Sequence, residues 1–280
     1  MKKINTRKIK QIVSQLCIEA NMNLRKDILN ALKKALKVER NKRAKRILRE
    51  IIDNARIAKT ERLPICQDTG VAVVYCEIGQ DVSIVGSEFE KAVNEGVREG
   101  YRKGNLRKSV VSSPIERENT RTNTPAVIHT RIVPGNKLRI TVCPKGFGSE
   151  NKSDIRMFEP TATTKDIKDF VLDVVRNCGA EACPPLVLGI GIGGTFEKAA
   201  GLAKLSLLRP IGKRNPKKHI GRLERELLGD INRLNIGPMG LGGKTTALAV
   251  NILEFPTHIA GLPVAVCVSC HATRSAKKVL

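Results

Sequence analysis

The sequence predicts a mixed α/β (α+β) fold in which a helical N-terminal leader packs on a mixed-sheet core. Apolar side chains of residues 1–62 recur at three-to-four spacing, which is the helical period. Beyond residue 63, short apolar runs typical of strands alternate with amphipathic stretches and glycine-bearing turns. No internal repeat or linker divides this later part. We therefore expect the leader, residues 1–62, and the core, residues 63–280, to form one domain.

The leader is predicted to contain helices over residues 6–21 and 24–60, with Asn23 as the N-cap of the second. It carries 19 Lys/Arg against 6 Asp/Glu, so +13 of the formal charge of +23 lies there. Such a basic face suits an acidic subunit, an anionic substrate or nucleic acid, or is simply solvated. Because no aromatic side chains are interleaved for base stacking, we expect no nucleic-acid partner.

The core begins with a predicted strand pair and continues with elements of both kinds. Helices are predicted over residues 87–101, 163–177, 195–208 and 222–234. Strands are predicted over residues 71–78 and 82–85, which form the pair, and over 127–130, 138–142, 182–189, 245–253 and 260–268. The polar residues 104–126 are predicted to be irregular, and a stretch of that length inside a domain is often functional.

The amino-acid composition indicates the cellular compartment and limits the roles that the cysteines can have. No run of 18 or more apolar residues is present, so no membrane span is expected. The N-terminus lacks the apolar centre of a signal peptide, which favours the cytoplasm. Eight cysteines in that reducing compartment indicate metal or cluster chemistry, or inert core thiols, before they indicate disulfides.

Two glycine-rich loops imitate nucleotide-binding motifs. Gly189, Gly191 and Gly194 lie between a predicted strand and a predicted helix, as in a dinucleotide-binding unit. Residues 199–223 hold no acidic residue for a ribose hydroxyl, although Arg209 would suit NADP. The loop ending at Lys244 has Pro238 where a phosphate-binding loop needs glycine, so nucleotide hydrolysis is rejected, but Lys244 remains available to a carboxylate.

The densest group of reactive side chains lies between the leader and the first core strand. Residues 63–70 read Leu-Pro-Ile-Cys-Gln-Asp-Thr-Gly. Pro64 disfavours helix at the preceding residue, so the helix is expected to stop there. Cys66, Cys183 and Cys270 each lie at the edge of an apolar strand, and three thiolates from distant points can bind an iron–sulfur cluster. Buried core thiols remain the other interpretation. Cys267, which neighbours Cys270, is placed within the strand.

Several motifs occur in an order that resembles a known family. They are residues 63–70, Leu-Arg-Lys-Ser at 106–109, Asn-Thr-Pro-Ala at 123–126, Lys-Gly-Phe-Gly-Ser-Glu-Asn-Lys at 145–152, Gly-Gly-Thr-Phe-Glu-Lys at 193–198, the loop and threonines at 237–246, and Cys-His-Ala at 270–272. From about residue 8 onward the chain resembles the iron–sulfur-dependent class I fumarase/tartrate dehydratase family, in particular its separate α subunit.

That resemblance implies a [4Fe-4S] cluster and a set of site residues. The implied ligands are Cys66, Cys183 and Cys270, and Asp68 is placed to exchange a proton with the substrate's hydroxyl group. The implied substrate-binding residues are Gln67, Arg107, Gly148, Lys244 and His258. His258 is also compatible with a core histidine. Phe147 departs from the family, which usually has glycine there, and this bears on substrate identity.

The resemblance also implies a reaction and a partner. The leading expectation is a hydro-lyase that reversibly hydrates fumarate, a small dicarboxylate, to L-malate. Dehydration of L(+)-tartrate or a related hydroxy diacid is the alternative, and an NADP-binding oxidoreductase is a distant one. In the family, the residue that removes the proton from C3 lies in the β subunit or the C-terminal domain. The chain is therefore expected to be catalytically incomplete alone and to assemble with a β subunit, as α2β2.

Overall fold

Helices and strands are interspersed along the whole chain, and the computed structural model describes all residues 1–280. The helices are α1 (Thr6–Met22), α2 (Lys26–Val38), α3 (Lys42–Glu61), α4 (Phe89–Lys103), α5 (Phe147–Glu150), α6 (Thr164–Cys178), α7 (Phe196–Ser206) and α8 (Lys218–Arg233). The strands are β1 (Lys2–Asn5), β2 (Val71–Gly79), β3 (Val82–Val85), β4 (Val127–Val133), β5 (Leu138–Lys145), β6 (Asp154–Phe158), β7 (Leu186–Gly193), β8 (Ala247–Phe255), β9 (Leu262–Ser269) and β10 (Ala276–Val279). A 3-10 turn spans Pro238–Gly240.

The chain folds into two compact units, neither of which is a continuous segment. The first unit contains Met1–Arg25, Ala55–Phe147 and Arg274–Leu280. The second unit contains Lys26–Asn54 and Gly148–Thr273. The mixture of helices with mixed sheets agrees with the predicted α/β class. The predicted boundary between residues 62 and 63 stays a prediction.

The first unit is built on a four-stranded sheet with the order β10-β5-β2-β4. In it β2 pairs antiparallel with β5 and parallel with β4, while β10 adds antiparallel to β5. The predicted pairing of β2 with β3 is wrong, because β3 pairs in parallel with the N-terminal strand β1. The turn that follows β2 is held elsewhere: the amide of Gln80 donates to Val133 O at 2.8 Å and that of Asp81 to Gly135 O at 3.0 Å.

Helices α1 and α4 cover this sheet and approach each other through glycines. A Cβ on Gly96 would lie 2.7 Å from Lys10 O, and a Cβ on Gly100 would lie 2.7 Å from Ser14 O. The backbones can come this close only because both glycines lack a side chain. The buried core beneath them consists mainly of aliphatic side chains, including Ile9, Val13, Cys17, Val74, Val93, Val97, Tyr101, Ile140 and Val142.

The second unit has its own four-stranded sheet, with the order β6-β9-β7-β8. Leu188 and Ile190 of β7 join the core formed with α6 and α8. Gly189 and Gly191 alternate with them and therefore face the opposite side of the sheet. A Cβ on Gly189 would lie 2.1 Å from Ala203 O, and one on Gly191 would lie 2.0 Å from Ala199 O. The glycine repeat thus lets α7 pack directly against β7.

The predicted single helix over residues 24–60 is wrong, because two side chains break it. The Glu39 carboxylate accepts the amides of Arg40 and Asn41 at 2.8 and 3.0 Å, which ends α2. The Asn41 side chain then accepts the amides of Arg43 and Ala44, so that it caps the start of α3. Asn23 is not an N-cap. It closes α1, where its own amide donates to Glu19 O at 2.9 Å.

Three short strands and one helical turn were not predicted. The strands β1, β6 and β10 have only four or five residues, and most of those residues are exposed or half-buried. The turn α5 lies within the predicted polar loop over residues 145–152. Among the longer elements, α1, α4 and α6 lie within two residues of their predicted bounds. None of the helices combines the length and apolar composition that crossing a membrane requires.

Candidate active site

The loop over residues 63–70 connects α3 to the central strand of the first unit. Helix α3 ends at Glu61, close to the predicted stop before Pro64, and β2 begins at Val71 as expected. Cys66 and Asp68 are half-buried, whereas Gln67 is exposed. The three side chains are therefore carried on irregular backbone directly before a strand that is hydrogen-bonded on both sides.

Main-chain amides fix the Asp68 carboxylate. Its Oδ1 accepts the amide of Gly70 at 2.9 Å, and its Oδ2 accepts the amide of Phe147 at 2.7 Å. One donor belongs to the same loop and the other to the segment that follows β5. Each carboxylate oxygen has a second lone pair, so both can still accept a further proton donor. The two hydrogen bonds give the Asp68 carboxylate a defined orientation and leave it able to accept further hydrogen bonds.

Tyr101 anchors the backbone beneath Asp68. Its buried hydroxyl is 2.8 Å from Thr69 O and 2.9 Å from Gly70 O. Burial raises the pKa of this hydroxyl, which keeps the proton that it donates. Gly70 has φ +75°, and a Cβ there would lie 2.7 Å from the Lys145 backbone, so glycine is required. From the sequence, Tyr101 was predicted only to occupy an apolar position of a helix.

The polar stretch over residues 104–126 is irregular, as predicted, and it is tied to the same loop. Asn123 is fully buried; its Nδ2 donates to Gly70 O at 3.1 Å, and its Oδ1 accepts the amide of Ser109 at 2.7 Å. The Thr69 hydroxyl donates to Arg107 O at 3.0 Å. The exposed side chain of Arg107 is thus attached through its own backbone to the residue that follows Asp68.

Arg274 is a residue of this site that the sequence did not reveal. It lies just before β10 and is only 4% exposed. Its Nη2 donates to Asp68 O at 2.5 Å, and its Nε lies 3.4 Å from Pro144 O. The sequence run Thr-Arg-Ser-Ala-Lys-Lys at residues 273–278 is typical of a solvent-exposed C-terminal segment, so nothing in it indicated that Arg274 is buried. Only the pairing of β10 with β5, which joins distant segments, brings Arg274 to residue 68.

In the second unit, Cys183 and Cys270 lie on adjacent stretches of backbone. The amide of His271 donates to Cys183 O at 3.3 Å, and the His271 Nδ1 lies 2.9 Å from the same oxygen. Cys183 has φ +52°, an uncommon conformation for a residue other than glycine. Cys270 follows directly after β9, whereas Cys267 is buried inside that strand, as predicted.

Burial separates the eight cysteines into two groups. Cys66, Cys183 and Cys270 are half-buried, and the other five are buried. Burial raises the pKa of Cys17 and Cys76 to about 12 and that of Cys178 to about 11, so these thiols stay protonated and inert. Half-buried thiols on loops are the chemically suitable donors for an iron–sulfur cluster. Neither unit by itself gathers three His, Cys, Asp or Glu side chains for a metal ion.

The loop over residues 237–244 is held by a buried carboxylate that sequence reasoning missed. Glu39, which is 2% exposed, accepts the amide of Lys244 on Oε2 at 2.7 Å. A Cβ on Gly243 would lie only 2.9 Å from the same oxygen. The side chain of Lys244 is exposed. The loop leads into β8 and not into a helix, which agrees with the rejection of a nucleotide-hydrolysing loop.

The two remaining predicted residues of the second unit are exposed. Gly148 lies in α5, and a Cβ there would meet nothing within 4 Å, so its backbone borders open space. His258 lies in the loop after β8, where its Nδ1 accepts the amide of Ala260 at 3.1 Å. Its exposure rules out the core-histidine interpretation. Both residues are accessible to a small ligand.

Comparisons with known proteins identify the family. A family model described as Fumarate hydratase (Fumerase) matches residues 10–279. Over 279 residues the chain is 44% identical to "Putative L(+)-tartrate dehydratase subunit alpha" of Methanocaldococcus jannaschii, and the match covers 97% of each protein. It is also 29% identical to "L(+)-tartrate dehydratase subunit alpha" of Escherichia coli K12, over 95% of this chain and 89% of that protein. With so much of the sequence matched, the chain belongs to the fumarate hydratase (Fumerase) family.

Proposed function

We propose that this chain is the α subunit of a cytoplasmic [4Fe-4S]-dependent hydro-lyase that reversibly hydrates fumarate to L-malate. The observation that carries the proposal is the Asp68 carboxylate. It is oriented by the amides of Gly70 and Phe147 and lies two residues after the half-buried thiol of Cys66. A fixed proton-exchanging group beside a potential metal ligand is the arrangement that elimination or addition of water requires.

Cys66, Cys183 and Cys270 are the residues that would hold the cluster. They are the three thiols of the chain that are not buried in a core, and each lies on a loop at the edge of a strand. When bound, such a cluster supplies a Lewis-acidic iron that polarises the hydroxyl group of the substrate.

Asp68 would exchange a proton with that hydroxyl group. The amides that bind its two oxygens hold the carboxylate in one orientation, so a free lone pair can point at a single proton. General acid–base catalysis of this kind typically contributes about 10²- to 10⁴-fold. Gln67 is exposed beside it and would donate or accept a hydrogen bond to the substrate.

The remaining residues would bind the two carboxylates of the substrate. Arg107 and Lys244 both have exposed cationic side chains on loops whose backbones are anchored, at Thr69 and Glu39 respectively. The Arg107 guanidinium can bind a carboxylate with two parallel hydrogen bonds. The amide of Gly148 and the ring of His258 are exposed donors of the second unit.

A partner chain would complete the enzyme. The relatives named above are called α subunits, which implies that they assemble with another subunit. We propose a β subunit and an α2β2 assembly for this chain as well, with the base that removes the C3 proton supplied by the β subunit.

L(+)-tartrate is the second candidate substrate. It is favoured by the names of relatives that match almost the whole chain. Phe147 bears on the choice, because its amide binds the Asp68 carboxylate and its side chain is 48% exposed. A bulky side chain at this position restricts space, and we expect it to disfavour the second hydroxyl group of tartrate.

The test is anaerobic reconstitution of the co-expressed α and β chains with iron and sulfide, followed by parallel assays with fumarate, L-malate and L(+)-tartrate. We expect a higher kcat/KM for fumarate. Asp68→Asn should lower kcat about 10²- to 10⁴-fold and leave the visible absorption of the cluster intact. The matched control is Asp81→Asn, an exposed aspartate in the turn after β2, which should behave as wild type.

Three outcomes would contradict the proposal. Cluster absorption that survives replacement of all three cysteines by alanine would overturn the ligand assignment. Loss of the cluster in Asp68→Asn would make Asp68 structural. Turnover of L(+)-tartrate alone would replace fumarate by the second candidate.

A further inference from the structure

Arg274 has the attributes of a residue that fixes the orientation of another group. Its guanidinium is buried, it forms no ion pair, and its Nη1 has no hydrogen-bond acceptor in the chain. We propose that Arg274 is a positioning residue that holds the main chain of Asp68 and thereby aims the Asp68 carboxylate. The inference rests on the proposed function of Asp68.

The hydrogen bond from Arg274 to Asp68 O lies where the pairing of β2 with β5 has ended. Strands β2 and β5 pair from Val71 with Lys145 onward, so Asp68 lies beyond the last paired residue. Arg274 stands opposite this unpaired end, because β10 pairs with β5 from Ala276 with Val142. From there one guanidinium reaches both Asp68 O and Pro144 O. The guanidinium thus connects the segment before β2 to the end of β5.

The Asp68 carboxylate and the Arg274 guanidinium both lie close to Gly146. A Cβ on Gly146 would lie 3.2 Å from Asp68 Oδ2 and 3.6 Å from Arg274 Nη2. Both groups therefore contact the same small volume, next to the amide of Phe147 that binds Oδ2. Asp68 is thus held at three points: its carbonyl by Arg274 and its two carboxylate oxygens by main-chain amides.

A role in stability alone does not account for an arginine here. Burying a guanidinium without a counter-ion is costly, and apolar residues of similar size are often neutral or stabilising at such positions. Only the planar fork of arginine can donate from two nitrogens to two carbonyls, and lysine lacks that fork. The arginine is therefore suited to holding the geometry at Asp68.

The test uses Arg274→Met, which removes the donors without leaving an unpaired charge, and Arg274→Lys, in the reconstituted complex with the β chain. Amide hydrogen exchange at Gly70 and Phe147 reports the Asp68 carboxylate directly. We expect exchange at both amides to quicken at least about tenfold in Arg274→Met and kcat to fall about 10- to 100-fold, with KM changed less than about threefold. Arg274→Lys should recover part of both losses.

The matched control is Arg139→Met in β5, where the wild-type side chain forms a surface ion pair with Glu77 at 2.7 Å. It should alter neither exchange at the two amides nor kcat. Unchanged exchange in both Arg274 variants, or a proportional loss of all protected amides of the first unit, would overturn the positioning role. A third outcome separates the two proposals. If the Arg274 variants exchange faster at Gly70 and Phe147 but the wild-type complex hydrates no diacid, the proposed function is refuted and the positioning role stands.

Discussion

At the scale of single residues, the environment of each side chain separates reactive groups from inert ones of the same type. The eight cysteines have the same side chain, yet only three are half-buried in the fold. Asp68 differs from other aspartates in the same way, because two segments distant in sequence contact it. Reactivity here follows from what surrounds a residue.

Thiol labelling tests this division. In the chain prepared without metal, iodoacetamide at pH 8 should modify Cys66, Cys183 and Cys270 and spare the five buried cysteines, because the thiolate is the reacting form. Burial holds the pKa of Cys17 and Cys76 at about 12 and that of Cys178 at about 11. At a pH of about 9.5 these three thiols should therefore still be protonated and unlabelled.

Peptide mass spectrometry measures the labelling, and urea-unfolded chain, in which all eight cysteines should react, is the control. Modification of Cys17 or Cys178 in the folded chain at pH 8 would show that the division by burial is wrong. Reconstitution with iron and sulfide should then protect the three reactive cysteines. Continued labelling of any one of them would remove it from the ligand set.

Motifs predicted the residues on the loop but not the residues that hold it. Cys66, Gln67 and Asp68 are adjacent in sequence, so one short stretch revealed them together. Tyr101 and Arg274 act through contacts between segments far apart in the chain. A single sequence carries no pattern for such contacts, since each depends on how strands pair.

At the scale of elements, the sequence predicted long helices well and strand partners poorly. Periodicity over four turns is a strong signal, and α1, α4 and α6 were placed correctly. The pairing of β2 with β3 was inferred from their nearness in the chain. The fold instead places β4 and β5 beside β2, and both come from beyond the polar stretch over residues 104–126.

Breaks inside helical patterns were equally hidden. Apolar residues at helical spacing lie on both sides of residues 39–41, so the pattern indicated one helix. The break depends on two capping side chains, Glu39 and Asn41, whose effect is local and polar. Glu39 gains a further partner in the amide of Lys244, more than two hundred residues away. Hydrophobic periodicity does not reveal these polar contacts.

Tyr101→Phe tests the link between α4 and the loop over residues 63–70. The variant keeps the packing of the ring but leaves the carbonyls of Thr69 and Gly70 without their shared donor. We expect a loss of about 1–3 kcal/mol in the free energy of unfolding, together with faster amide exchange at Gly70. Urea denaturation and hydrogen exchange measure the two effects.

Tyr75→Phe, at the other tyrosine of the chain, is the matched control and should leave exchange at Gly70 unchanged. A Tyr101→Phe variant that is as stable as wild type and equally protected at Gly70 would mean that α4 does not anchor the loop. Loss of stability without change at Gly70 would confine the role of Tyr101 to the core.

At the scale of the whole molecule, the excess of positive charge matches the dianionic substrate that we propose. The formal charge is +23, and much of it lies on exposed side chains of the N-terminal helices. A field of that sign raises the encounter rate of small dianions, and salt screens it. Its contribution should therefore appear in kcat/KM and not in kcat.

Ionic strength tests this contribution. Raising NaCl from about 0.05 to about 0.5 M should lower kcat/KM for fumarate roughly 3- to 10-fold and leave kcat within about twofold. Replacing the exposed Lys3, Lys8 and Arg43 by glutamine lowers the charge from +23 to +20 and should flatten this dependence. Steady-state assays of the complex measure both. A kcat that falls as steeply as kcat/KM would point to loss of subunits or cluster instead.

The discontinuous first unit has a consequence for the order in which the protein matures on the ribosome. Asp68, β2 and β5 are synthesised early, whereas Arg274 and β10 follow only after Gly148–Thr273 has been made. At common rates of translation that interval is on the order of ten seconds. During this interval β5 lacks its partner strand β10, and Asp68 lacks its hydrogen bond from Arg274. A nascent chain therefore exposes an unfinished sheet edge until translation passes β10, and chaperones would find their target there.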